Sequence, residues 1–137
     1  MTFHGGKPMK WMFTVAALAA AGSTFAAEPA GLLAGYQAEA RKSDAAFAAS
    51  AQRGAQFFSE KHGSEWSCAS CHGNPPTGQG RHATTGKAIA PLAPAANPER
   101  FADAAKVEKW FRRNCNDVLG RACTPAEKAD VMAFVLK

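Results

Sequence analysis

No stretch of the sequence is apolar for long enough to span a bilayer comfortably. No run alternates apolar and polar residues, so nothing signals a half-buried strand. Methionine is scarce: after Met12 only Met132 occurs. There is no internal repeat, and no second C-x-x-C to complete a four-ligand structural zinc site. Excess charge is small too. Lys7 and Lys10 precede every acidic residue, so removing the first 26 residues leaves 14 basic against 11 acidic side chains, a net +3. That is too mild to argue for nucleic acid.

What is present begins with an export signal. Lys7 and Lys10 form a positive start, and Trp11 to Gly22 is a short, Ala-rich apolar run. Thr24-Phe25-Ala26 then offers a cleavage site before Ala27. An uncleaved anchor or an ordinary helix is the competing reading of this stretch. Signal peptide 1–26 leaves residues 27–137 as one small domain, outside the cytoplasm and free of a stable membrane span.

The centre of the chain is Cys68-Ala69-Ser70-Cys71-His72. Two thiols at this spacing can reach both vinyl groups on one edge of a haem. The following imidazole is then carried beneath the ring, so C-x-x-C-H is the attachment signature of c-type haem, with His72 as proximal ligand. A thioredoxin-like redox pair would need a βαβ context that this sequence lacks. Export fits haem attachment, and it also bears on Cys115 and Cys123. In an oxidising compartment these two are expected to form a disulfide worth on the order of 2–3 kcal/mol; a pair of free buried thiols is the alternative.

Around this motif the sequence predicts an all-α fold. Residues 31–43 are expected to be helical through Leu33, Tyr36 and Ala40. A second helix is predicted over 44–61, with Phe47, Ala51, Gly54 and Phe58 on one stripe. Gly54 costs roughly 1 kcal/mol there relative to Ala, which implies that another backbone comes close. Gly73 to Pro98 is rich in Gly and Pro, and forbids long helices or ladders. Wrapped around a haem, it would let Ile89 and Leu92 cover the ring. One of its carbonyls should accept the second N–H of His72. A third helix starts at Asp103 as N-cap and runs to about Asn116, with Val107, Trp110, Phe111 and Asn114 on its apolar side. The last helix has Thr124 as N-cap, Pro125 at N1 and Glu127 at N3.

The second axial position decides what such a protein does. Met132 lies inside the short final helix, where core packing is its ordinary role. His82 sits in the Gly/Pro-rich stretch and could bind iron, contact a propionate or be solvated. His62 is too near the attachment site to reach the far face easily. Asn114 would be a polar group on an apolar face unless something bound it, or a helix-terminal residue bonded to backbone. The residues alone leave this choice open.

Several segments resemble the sphaeroides haem protein family of small periplasmic class I cytochromes c. They are Cys68-Ala69-Ser70-Cys71-His72, Gly86-Lys87-Ala88-Ile89-Ala90-Pro91-Leu92-Ala93-Pro94, Val107-Glu108-Lys109-Trp110, Arg113-Asn114-Cys115-Asn116 and Cys123-Thr124-Pro125-Ala126-Glu127-Lys128-Ala129-Asp130. The resemblance implies a class I fold in which the helix of Gly54 and Phe58 crosses the C-terminal helix at Phe134. It also implies one covalent haem c, an asparagine axial ligand at Asn114 and a Cys115–Cys123 disulfide. A neutral amide is a hard, weak ligand, expected to hold ferric iron acceptably and ferrous iron poorly. Its release on reduction would open a site for O2, NO or CO, with Trp110 and Phe111 lining the pocket. Family members accept electrons from a dihaem cytochrome c. Whether they act as haem-dependent oxidoreductases on oxygen, peroxide or nitric oxide is not settled by resemblance, and no catalytic residue follows. A permanently six-coordinate electron carrier and a gas sensor or scavenger are the other readings. Lys109, Arg112, Arg113 and Arg121 form either a docking face for an acidic redox partner or a solvated surface.

Overall fold

The computed structural model describes residues 1–2 and 28–137. Beyond its first two residues, the expected signal peptide and its cleavage site lie outside the described part. The elements run α1 (Pro29–Ala40), α2 (Ala51–Ser59), α3 (Cys68–His72), β1 (Gly80–Arg81), β2 (Ala88–Ile89), α4 (Ala104–Leu119) and α5 (Pro125–Val135). Among the described residues no helix is long and apolar enough to cross a membrane.

The core forms where α1 and α2 both lie along α5. Phe58, Val131, Met132 and Val135 are its buried centre, with Leu33, Tyr36, Phe111 and Phe134 packed around them. α2 crosses α5 with the Phe58 and Phe134 rings 5.4 Å apart. At the crossing, a Cβ on Gly54 would overlap the carbonyl of Asp130. This is the close backbone approach that its position in a helix implies. Met132 is fully buried in this core.

The second helix is shorter than its apolar stripe predicts. Residues 44–50 are not helical, and α2 begins at Ala51. The cause is Asp130, which is 80 residues away from Ser50 and buried. Its Oδ1 accepts the Ser50 N–H at 2.7 Å, and the carboxylate also takes Arg53 Nε and Nη2, both at 2.8 Å. Ser50 is thereby fixed as N-cap, its side chain accepting from the Arg53 N–H. Phe47 leaves the helical stripe and lies beneath the Arg53 guanidinium, 5.5 Å from ring centroid to charge. The first helix likewise ends at Ala40 rather than 43, and starts earlier, with Pro29 in its first turn.

The Gly/Pro-rich stretch carries a pairing that the sequence does not signal. β1 and β2 form a two-residue antiparallel ladder, Gly80 opposite Ile89 and Arg81 opposite Ala88. Below it, His82 N–H donates to Lys87 O at 2.8 Å and Gly86 N–H to His82 O at 2.9 Å. Elsewhere the stretch is tied to itself. Pro76 O accepts from both Leu92 and Ala93 N–H.

α4 starts after Asp103, whose carboxylate accepts from Lys106 N–H at 3.0 Å. It runs past Asn116 to Leu119 and is closed by Gly120 in the left-handed region, φ 69°. α5 opens on a complete capping box of Thr124 and Glu127. Glu127 also holds Arg121 through two contacts of 2.6 and 2.9 Å. A disulfide joins Cys115 in α4 to Cys123, immediately before this box.

Two outcomes follow. In an ordinary exposed helix Gly→Ala would gain about 1 kcal/mol; here Gly54→Ala should destabilise by roughly 1–3 kcal/mol through overlap with α5, read as a lower midpoint in a thermal melt. The hydrogen bond and charge of Arg121, with the Thr124 bonds, hold the Glu127 carboxyl below the usual carboxylate range. Its contribution to stability is therefore complete above the ordinary glutamate value, and is lost as pH falls through the depressed one. Glu127→Ala should lower the melting midpoint at pH 7, and the gap to wild type should close under acid conditions.

Candidate haem site

α3 is a single turn whose residues come straight from the attachment motif. Ser67 caps it with a reciprocal capping box to Ser70, so the strand of chain before the motif turns sharply and both thiols sit on one short helix. Gly80 packs against it: a Cβ there would overlap the Cys71 carbonyl. The Ala83 N–H points at Cys71 Sγ, 3.3 Å away. The β1–β2 hairpin is thus fastened to the second cysteine.

Cys68, Cys71 and His72 line a cavity of about 1070 Å³, at the upper limit of the roughly 300–1,000 Å³ common for cofactor sites. Its other walls include Ile89, Leu92, Val107, Trp110, Phe111 and Asn114. Every site residue expected from the sequence therefore meets at one place, the disulfide included, since Cys115 and Cys123 also border it. Met132 does not line it.

The chemistry of the donors suits a c-type haem. Burial pushes the Cys68 thiol up to about 11, so at neutral pH it is a thiol of low nucleophilicity rather than a redox thiolate. Both cysteines are unpaired in the polypeptide and are available for thioether formation. Burial, and secondly the charge of Arg100, bring the His72 imidazole down to about 4. The ring is neutral, with a lone pair to give. His72 Nδ1 is buried with no hydrogen-bond partner. The Phe58 ring stands 6.2 Å from the imidazole, at 43° to it. Among the described residues no group of three or more His, Cys, Asp and Glu is placed to hold a bare metal ion.

One expectation fails here. No carbonyl of the Gly/Pro-rich stretch accepts the second N–H of His72. Two carbonyls of that stretch are taken by other donors. Arg100 takes Pro91 O through Nε at 2.9 Å and Ala90 O through Nη2 at 2.7 Å, and Asn97 Nδ2 reaches Pro91 O as well. Arg100 is the residue that sequence reading missed. It clamps the segment covering the cavity and sets charge beside His72. Its partners are backbone carbonyls, which leave no trace in side-chain pattern.

The other candidate ligands are engaged. His62 Nε2 is 2.7 Å from Phe57 O, and its ring packs on Phe57. His82 lines the cavity, but its Nδ1 accepts from Thr85 N–H at 3.2 Å within the hairpin fastened to Cys71. Of the basic cluster, Arg121 is spent on Glu127 and Arg113 lies over Trp110, 5.6 Å from the ring centroid.

Residues 44–135 match the family described as a domain of unknown function, DUF1924. The cytochrome c-type protein SHP of Cereibacter sphaeroides is 51% identical over 111 residues, covering 78% of this chain and 81% of that protein. The chain belongs to the sphaeroides haem protein family. A solved structure of oxidised SHP, described as an oxygen-binding cytochrome c, superposes with a TM-score of 0.71 at 49% identity, covering 80% of this chain and 96% of that one. The solution structure of Methylophilus methylotrophus cytochrome c'', presented as bearing on haem-ligand detachment, gives a TM-score of 0.71 at 41% identity, covering 80% and 92%. This member of the family is accordingly a monohaem cytochrome c, all-α in class, carrying one covalently attached haem c.

If Cys68 and Cys71 make the two thioethers, mass spectrometry of the denatured wild type should show one retained haem. The double variant Cys68→Ala, Cys71→Ala should lose it on acid–acetone extraction. Retention of haem by that variant would exclude the assignment.

Proposed function

We propose that this chain is a periplasmic cytochrome c that binds a diatomic molecule once reduced. In this reading Cys68 and Cys71 would anchor the haem, His72 would hold its iron permanently, and Asn114 would hold it weakly until reduction. A dihaem cytochrome c of the same compartment is the electron donor. Haem c supplies one-electron redox chemistry and an axial position that O2, NO or CO can take.

The observation that carries the proposal is the placement of Asn114. The bland explanation of this residue is a helix terminus bonded to backbone, yet α4 continues past it to Leu119 and is capped by Gly120. Asn114 is half-buried in mid-helix and lines the same cavity as His72. An amide facing a largely apolar cavity has little there to bond to, and a haem iron would give it a partner. The competing ligands support the same choice: Met132 is in the core, His62 is bonded to the Phe57 carbonyl of α2, and His82 is bonded within its hairpin.

The amide is uncharged and hard, so it favours ferric over ferrous iron. On release it would stay on α4, one residue from a disulfide, as a hydrogen-bond donor facing the same cavity. Trp110 and Phe111, one turn earlier, form an apolar wall beside it. The oxygen binding ascribed to SHP and the ligand detachment ascribed to cytochrome c'' support this reading over a permanently six-coordinate carrier.

Asn114→Ala should keep covalent haem while converting the ferric optical spectrum from low to high spin. In the wild type, dithionite reduction should give a high-spin species that shifts promptly on adding CO. A low-spin, CO-insensitive reduced form would establish the carrier instead.

A further inference from the structure

The reach of Asn114 depends on where α4 lies, and α4 is attached differently from the other long helices. α1 and α2 run in close backbone contact along α5, while α4 has no extended close approach to any other element. Side chains hold it. The disulfide secures its C-terminal half through Cys115. Its N-terminal half is secured at Glu108, where one carboxylate joins three helices. Oε1 accepts the Tyr36 hydroxyl of α1 at 2.6 Å, and Oε2 pairs with Lys128 Nζ of α5 at 2.8 Å.

The same three residues bear on the cavity wall. Lys128 Nζ lies over the Tyr36 ring at 5.2 Å and over the Phe111 ring at 5.7 Å. Tyr36 meets Phe111 edge-on at 5.6 Å and 83°, and Phe111 lines the cavity. Phe111 lies three residues from Glu108 and three from Asn114, and so neighbours both on α4.

We infer that Tyr36, Glu108 and Lys128 are positioning residues for Asn114: the junction holds α4 at the distance that lets the amide reach the haem, and sets how readily it leaves. The inference rests on Asn114 being the axial ligand. The Glu108 side chain is 52% exposed and that of Lys128 17%, so the ion pair should add little to global stability. Its effect falls on the placement of one helix. Tyr36 adds a second tether, and the Phe111 contact carries its position into the cavity wall.

The test compares six holoproteins: wild type, Tyr36→Phe, Glu108→Ala, Glu108→Gln, Asn114→Ala and Arg53→Ala. The last breaks the Arg53–Asp130 pair between α2 and α5, away from the cavity. Readouts are the ferric high-spin fraction and amide hydrogen exchange across residues 104–119. Tyr36→Phe and Glu108→Ala should raise the high-spin to low-spin ratio, and speed exchange in α4, by roughly threefold to tenfold, the equilibrium change expected for one lost hydrogen bond. Glu108→Gln, which keeps an acceptor for Tyr36, should recover part of the effect. Arg53→Ala should lower the melting midpoint and leave both α4 readouts at wild-type values. Equal high-spin gains in Arg53→Ala would show general loosening and overturn the proposal. So would wild-type spectra and exchange in Tyr36→Phe and Glu108→Ala when Asn114→Ala does turn high spin. A ferric spectrum unchanged in Asn114→Ala itself overturns the ligand assignment, and this inference with it.

Discussion

The crossing of α2 over α5 at Gly54 governs the rest of the molecule. The two backbones meet there without a side chain between them, which lets Phe58 reach Phe134 and the buried α5 residues. From that contact the chain leads in two directions to the haem. After α2 it runs into Ser67 and the one-turn α3, placing Cys68, Cys71 and His72. At the other end, α5 begins at Thr124, directly after Cys123, and the disulfide from Cys123 to Cys115 brings the neighbouring Asn114 to the same cavity. One close approach between backbones thus sets two facing walls of the cavity. Asp130 reinforces it: the residue whose carbonyl faces Gly54 also caps the start of α2 through its carboxylate.

The features legible in the sequence are those written in neighbouring residues. Thr124-Pro125 with Glu127 specifies a helix start by satisfying backbone N–H groups three positions away, and α5 begins there. Asp103 does the same for α4. Gly54 was informative because a glycine on an apolar stripe costs helix stability unless something fills the place of its Cβ. What escaped sequence reading depends on distant partners. Phe47 fits the stripe of a longer α2, but Asp130 draws the Ser50 N–H out of helical pairing and ends the helix early. Arg100 spends its donors on the carbonyls of Ala90 and Pro91, and carbonyls are present at every residue. Tyr36 reads as one more position on the stripe of the first helix, and Glu108 falls outside the apolar side of α4; their bond spans 72 residues.

The two sides of the cavity differ in mechanical character. On the side of α3, two cysteines, a capped single turn and a hairpin packed on the Cys71 carbonyl leave little freedom. Arg100 and Pro76 bind the covering segment to itself. On the side of α4 the helix is held by side chains: a covalent bridge, a partly exposed carboxylate junction, and the packing of Val107, Phe111 and Val118. A helix attached in this way would have no close backbone crossing to break when it shifts, in contrast to α2.

That asymmetry bears on why an amide would serve where other cytochromes use a stronger donor. A permanent sixth ligand benefits from a rigid frame and an intrinsically strong bond, since both reduce reorganisation between oxidation states. A ligand that must leave requires the opposite: a bond weak enough for one electron to tip the balance, and a support that allows the group to withdraw and return. Shifting a two-state equilibrium from mostly closed to mostly open takes about 5.5 kcal/mol of differential affinity. A neutral, hard amide supplies such a difference between ferric and ferrous iron only if little else holds the closed state. Were α4 buried against α5 as α2 is, its packing would have to be broken at each opening, and an electron alone would not suffice. In the proposed reading, weak ligation and side-chain tethering of α4 would be one physical arrangement, and the disulfide at Cys115 would confine a withdrawn amide to the neighbourhood to which it returns.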